Sequence, residues 1–177
     1  MKIVRTLLII IIILFGIFLI GGFFLPKTHK ITQSVAIRAA DSTVYRYVLD
    51  MRNFKQWDPW SKMEPGMQTN IMGTIGQPGY TYAWKGDKVG KGKLELVNTM
   101  PNQLIAQELT FYMPEPSVHQ SNLYFESNEV NATKVTWTFE GKNNSFFERW
   151  LYVLMMNRMI GKDYQDGLKN LKTILEK

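Results

Sequence analysis

The chain contains no cysteine, which excludes disulfides, zinc–thiolate sites and a lipoprotein-type processing site. Histidine is almost as scarce. One of the two, His29, stands beside an apolar N-terminal run, which leaves His119 as the expected domain histidine and argues against a zinc site. Glycine-rich phosphate loops are missing too, because GKGK at Gly90–Lys93 lacks the Walker spacing. A strong charge of one sign is absent from most of the chain. The formal net charge is +6, but residues 1–30 carry four basic and no acidic residues, leaving 17 basic against 15 acidic beyond them. No basic face for nucleic acid is expected, whereas the basic flanks of the N-terminal run suit anionic lipid head groups.

What is present begins with LLIIIIILFGIFLIGGFFL, Leu7 to Leu25, in which sixteen of nineteen residues are Leu, Ile or Phe and the rest Gly. Nineteen helical residues span about 28 Å, close to the ~30 Å hydrocarbon core of a bilayer. The run exceeds the ~7–15 apolar residues of a usual signal peptide, and no clean small-x-small cleavage site follows it. A retained signal anchor is therefore expected. Lys2 and Arg5 precede it and Lys27, His29 and Lys30 follow it, so charge bias discriminates little. A single anchor with a basic start usually keeps its N-terminus in the cytoplasm, so the soluble domain is expected on the extracytoplasmic side. Residues 1–30 then form anchor and short linker, and 31–177 one domain large enough to bury a full core.

Within 31–177 the pattern changes period several times. Ile31, Gln33, Val35 and Ile37 alternate as in a strand. Val44, Tyr45, Val48 and Leu49 take helical spacing, with Asp41 or Ser42 as the expected cap. In NFKQWDPWSKMEP, Asn53–Pro65, Pro59 stops any long helix and makes WDPW a turn. Alternating segments follow at Tyr80–Trp84, Leu94–Leu96, Ile105–Phe111, His119–Phe125 and Val135–Phe139, with Gly86, Asp87 and Gly90 marking a hairpin. Ile160, Tyr164, Leu168, Leu171 and Leu175 make a helical stripe, preceded by FFERWLYVLMMNRM, apolar on nearly every face. One strand, short helices, further antiparallel strands and a long closing helix amount to an α+β fold.

SVAIRAADSTVYRYVLDMRNFKQWDPW, TKVTWTFEG and GKDYQDGLKNLK, taken in this order, resemble the START-like (helix-grip) SRPBCC superfamily, specifically its polyketide cyclase/dehydrase and lipid transport group. The resemblance runs from about Ile31 to the end. It implies a curved antiparallel sheet around a long C-terminal helix with an apolar cavity, and binding of hydrophobic ligands. Some members are enzymes. No shared catalytic set exists to carry over, and the transmembrane helix is not part of the domain pattern.

Candidate cavity residues follow from placing the aromatic and Met-rich segments on that frame. Trp57 and Trp60 either plug the core or line a cavity mouth. Asp58 reads as a turn-former. Tyr80, Tyr82 and Trp84 form a stripe that is either sheet core or a wall offering hydroxyls to a ligand. His119 shares a face with Ser121, Leu123 and Phe125, as a structural histidine, a ligand contact or an acid–base group. Met155 and Met159 suit irregular packing or an adaptable entrance. Lys85, Lys88, Lys91 and Lys93 make a solvated face or a membrane-surface contact. No metal and no cofactor are expected. The leading expectation is a membrane-anchored domain holding a lipid or other hydrophobic small molecule without covalent chemistry. Its rivals are a cyclase- or dehydratase-like enzyme using His119 and a non-catalytic envelope interaction module.

Overall fold

The computed structural model describes residues 2–127 and 131–177. Helix α1, Lys2–Phe24, is long and apolar enough to cross a membrane, and nearly all of its side chains are exposed. Strand β1, Thr28–Ile37, starts three residues earlier than the alternation at Ile31 suggested. Only residues 25–27 separate it from α1, and this link is pinned: Asn143 donates from its backbone to Lys27 O at 2.8 Å and from its side chain to Pro26 O at 3.1 Å.

Helix α2, Asp41–Leu49, buries Val44, Tyr45 and Val48. Its cap differs from expectation. Ala40 occupies the cap position with no side-chain hydrogen bond, and Asp41 Oδ1 accepts from the adjacent Ser42 N–H, inside the first turn. A 3₁₀ turn, Met51–Asn53, leads into the single-turn helices α3, Phe54–Trp57, and α4, Trp60–Met63. Between them Asp58 is extended ahead of Pro59, as the missing proline N–H and its ring require.

The remaining strands are β2 (Gln68–Met72), β3 (Thr81–Lys85), β4 (Lys91–Met100), β5 (Leu104–Met113), β6 (Ser117–Ser127) and β7 (Thr133–Lys142). They form one antiparallel sheet in the order β1-β7-β6-β5-β4-β3-β2. Its buried face carries the residues that the alternation selects, including Leu94, Leu96, Ile105, Leu109, Leu123, Phe125, Val135, Trp137 and Phe139. A register shift between Leu96 and Asn98 bulges β4, a feature that bends and further twists a sheet. Edge strand β2 carries no alternation because all five of its residues are exposed.

Helix α5, Phe146–Leu151, a wide π-type turn, Tyr152–Met156, and helix α6, Asn157–Leu175, close the chain. Tyr164, Leu168 and Leu171 press into the sheet's concave face. Gly167 permits that approach: a Cβ there would stand 3.0 Å from Trp137 Cζ3 and 3.4 Å from Pro59 Cδ. The result is a helix-grip fold, a curved sheet holding one long helix, with the apolar helix α1 ahead of it.

Candidate functional site

Between sheet and helix lies a cavity of about 300 Å³. Its floor is the contact of sheet with α6, where Tyr164 stacks on Trp137 with ring centroids 3.7 Å apart. Ser121 Oγ sits beneath this pair. It accepts from Trp137 Nε1 at 2.9 Å and lies 3.2 Å from Tyr164 Oη. The walls come from β3 to β5 through Tyr82, Trp84, Leu94, Leu109 and Phe111, and from α6 through Met159 and Ile160. Trp60 and Met63 supply the α4 side, and Lys88 and Val89 the β3–β4 hairpin.

That hairpin is held from outside itself. Glu64 accepts backbone N–H bonds from Asp87, Lys88 and Val89 at 2.8, 2.9 and 3.1 Å. These donors hold its carboxyl below the usual range. Gly90, with φ of +68°, closes the turn in a conformation that L side chains rarely adopt.

Two carboxyl groups, Asp58 and Asp163, line the mostly apolar walls. Asp58 is almost fully buried and accepts from Ser61 N–H and Ser61 Oγ–H, both at 2.7 Å. Its role as turn-former follows directly. Burial nevertheless raises its pKa, outweighing the Ser61 hydrogen bonds. Asp163 is likewise raised by burial, against a long 3.3 Å bond from Trp60 Nε1. Tyr82 Oη has no well-formed partner among the described residues, and burial pushes its pKa to about 12. The cavity thus offers a long apolar wall and a few polar groups with spare hydrogen-bonding capacity.

WDPW splits the two roles expected of its indoles. Trp57 is buried in the core, edge-on to Trp137 at 5.0 Å and to Phe54 at 4.9 Å. Asn170 on α6 donates to Trp57 O at 3.0 Å and ties the turn to the long helix. Trp60 stands on the cavity wall. Tyr82, Trp84 and Met159 join it there, while the other candidates lie elsewhere. Tyr80 is buried toward α2 and donates to Asp50 at 3.2 Å. Phe125 packs edge-on against Tyr45 at 5.5 Å. Met155 is exposed.

His119 is buried behind Phe139 and Phe111, at ring distances of 4.6 and 6.1 Å, and is not on the wall. It also has company. His29, expected in the linker, is a buried residue of β1 with its ring 5.2 Å from His119. Asn143 Oδ1 accepts from His29 Nδ1 at 2.9 Å, which leaves the Nε2 lone pair facing inward. Burial lowers both histidines, His119 to about 4, with His29 as its second cause. Among the described residues no group of three or more His, Asp or Glu side chains could hold a metal.

The profile of the polyketide cyclase/dehydrase and lipid transport family matches residues 28–176. The chain belongs to that family. No curated protein matches it in sequence. Solved structures share the fold at low identity. The Aha1 dimer from Colwellia psychrerythraea is 21% identical with a TM-score of 0.61, covering 84% of this chain and 96% of its own. CV1439 from Chromobacterium violaceum is 15% identical with a TM-score of 0.58, covering 84% and 99%. Mll3558 from Rhizobium loti is 12% identical with a TM-score of 0.62, covering 82% and 96%. The family match begins at Thr28, where β1 begins, so α1 stands outside the family domain. Membership supports hydrophobic ligand binding in general.

The sequence reading missed the wall residues Leu94, Leu109 and Phe111 as site candidates. They sit on the same inward faces as the residues it named, and only the depth of α6 along the sheet separates wall from core. Asp163, a charged residue outside the apolar stripe of the closing helix, also joins the wall. Its signal was present, because it directly precedes Tyr164 of the buried stripe.

Proposed function

We propose that the chain is a membrane-anchored carrier-type domain. Helix α1 holds it at a bilayer, and the cavity takes a lipid or other hydrophobic small molecule without covalent chemistry. The cavity itself carries this reading. Its volume of about 300 Å³ falls at the lower end of small-molecule sites, roughly 300–1,000 Å³, and its composition of many aromatic walls and few polar groups is typical of them. Asp58, Asp163 and the Tyr82 hydroxyl would orient a ligand's hydroxyl, amide or amine end. Trp60, Tyr82, Trp84 and Met159 form the contact set. Support for binding rather than turnover comes from Ser121, whose hydroxyl is engaged by Trp137 and Tyr164, and from His119, which faces away from the wall. The extracytoplasmic placement of the domain rests on α1 being a single N-terminal anchor with a basic start, since basic residues flank it on both sides.

The test is photocrosslinking of the full chain in membranes with a diazirine-bearing acyl lipid. Adducts on peptides containing Trp60, Tyr82 or Phe111 are expected. Adducts confined to α1 would refute a lipid-binding cavity. A cysteine introduced at Met100 reports the side: a membrane-impermeant maleimide should label it in intact cells.

A further inference from the structure

The apolar segment before α6 is shared between two partners: Tyr152 joins the domain core, while Phe146, Arg149 and Trp150 lie against α1. Trp150 stacks on Phe18 at 5.8 Å and donates from Nε1 to Phe18 O at 3.0 Å. Arg149 Nη1 donates to Gly22 O at 2.9 Å. Gly21 and Gly22 make room for this contact, for a Cβ on Gly21 would meet the Trp150 ring at 2.6 Å and one on Gly22 the Phe146 ring. Phe18 lies seven residues before Leu25, so at 1.5 Å per residue the contact reaches about 10 Å into the apolar run. The side of this segment turned away from α1 is apolar and open. Phe147 is 64% exposed, Val153 44%, Leu154 68% and Met155 54%.

If α1 is in a bilayer, Phe146 and Trp150 are at acyl-chain depth beside it, and the open apolar side chains of Phe147 and Val153–Met155 flank them on the same short segment. Two further observations point the same way. Met159, four residues after Met155, is 58% exposed and also lines the cavity, so the open stripe runs to the cavity rim. The other side of that rim, Lys88 and Val89, belongs to the β3–β4 hairpin, whose strand ends share the anchor end of the sheet with the start of β1. Lys85, Lys91 and Lys142 lie on those same strand ends, where they suit anionic head groups.

We propose that Phe147 and Val153–Met155 are immersed in the leaflet facing the domain, packed beside α1, so that the cavity opens at the membrane surface and exchanges its ligand with lipid directly. This rests on the reading of α1 as an anchor, and the experiment separates the two. The natural chain has no cysteine, so single cysteines can be placed cleanly at Leu154, at Ile12 in α1 and at Met100 at the far end of β4. Each variant of the full chain carries an environment-sensitive fluorophore in phosphatidylcholine vesicles, with nitroxide-bearing lipid or aqueous iodide as quencher.

The expected result is strong lipid quenching at positions 12 and 154, several-fold above position 100, with iodide effective only at position 100. Lipid quenching at 12 but not at 154, with iodide reaching 154, overturns immersion and leaves the anchor intact. A position 154 shielded from both quenchers means that a protein surface covers the segment, and also overturns it. No lipid quenching at 12 removes the anchor and the proposal with it.

Discussion

The two ends of the sheet solve different problems. At the end far from α1, β1 finishes at Ile37, and Tyr45 of α2 packs edge-on against Phe125 of β6, with Val44, Val48, Ile105, Leu123, Val135 and Leu171 in the same buried cluster. All of these are buried, and none of them lines the cavity. At the near end the same sheet and helix separate around a cavity, two histidines are buried with a ring nitrogen each that finds no partner among the described residues, and large apolar side chains face outward. The far end supplies cohesion, and the near end gives cohesion up for space. A cavity costs its lining the dispersion contacts that a packed interior would have, so it persists only where the remainder of the core is sound.

Substitutions should separate these ends. The largest effect is expected in the packed region, where Leu171→Ala should cost about 3 kcal/mol through lost transfer energy and an unfilled hole. It should lower the melting temperature by several degrees in a thermal-shift assay while leaving the cavity intact. Ile160→Trp reverses the pattern. It places an indole in existing space, so photocrosslinking to the cavity should fall at least tenfold with little change in melting temperature. A large loss of stability instead would mean that the space is not there.

A third variant reads the buried titratable groups. His119 has a folded pKa below its unfolded value, so stability is lost as pH falls from 6.5 toward about 4. His119→Phe should flatten that loss, since Phe suits its aromatic neighbours. Asp58 works in the opposite sense: its folded pKa is raised, so stability is fully present below the unfolded value near 3.8 and declines as pH rises through the folded value. Asp58→Asn should therefore remove the decline that sets in as pH rises above that unfolded value. The smallest effect is expected at Lys30, whose 2.9 Å ion pair with Glu140 is solvent-exposed on the lysine side. Lys30→Ala should change stability by less than about 1 kcal/mol.

The fold was legible where one face is buried and the other wet. Strands β3 to β7 and α6 declare themselves by period, because each half-buried element must alternate or stripe. β2 has no buried face, so Gln68–Met72 carried no pattern to read. The start of β1 was hidden for a different reason: Thr28–Lys30 sit beside the apolar run and look like linker, yet pairing with β7 and the Asn143 bonds make them strand. The site was legible only in part. Tyr82, Trp84 and Trp60 could be named as wall or core, but period two fixes which way a side chain points and not how closely the opposite layer approaches it. That distance is set by Gly167 and the Trp137–Tyr164 stack, which are long-range facts. The segment 146–156 was conspicuous for being apolar all round. Its reason, contact with α1 on one side and an open apolar face on the other, needed both helices in place.

The central claim is that the near end holds a hydrophobic ligand. Native mass spectrometry of the full chain, released from mild detergent, tests it most directly when the natural protein and Ile160→Trp are compared. The account predicts a discrete added mass on the natural protein, lost on denaturation, identifiable as a lipid or lipophile, and missing from Ile160→Trp. A bare mass for both proteins after incubation with membrane lipid extract, or the same adduct on both, would contradict it.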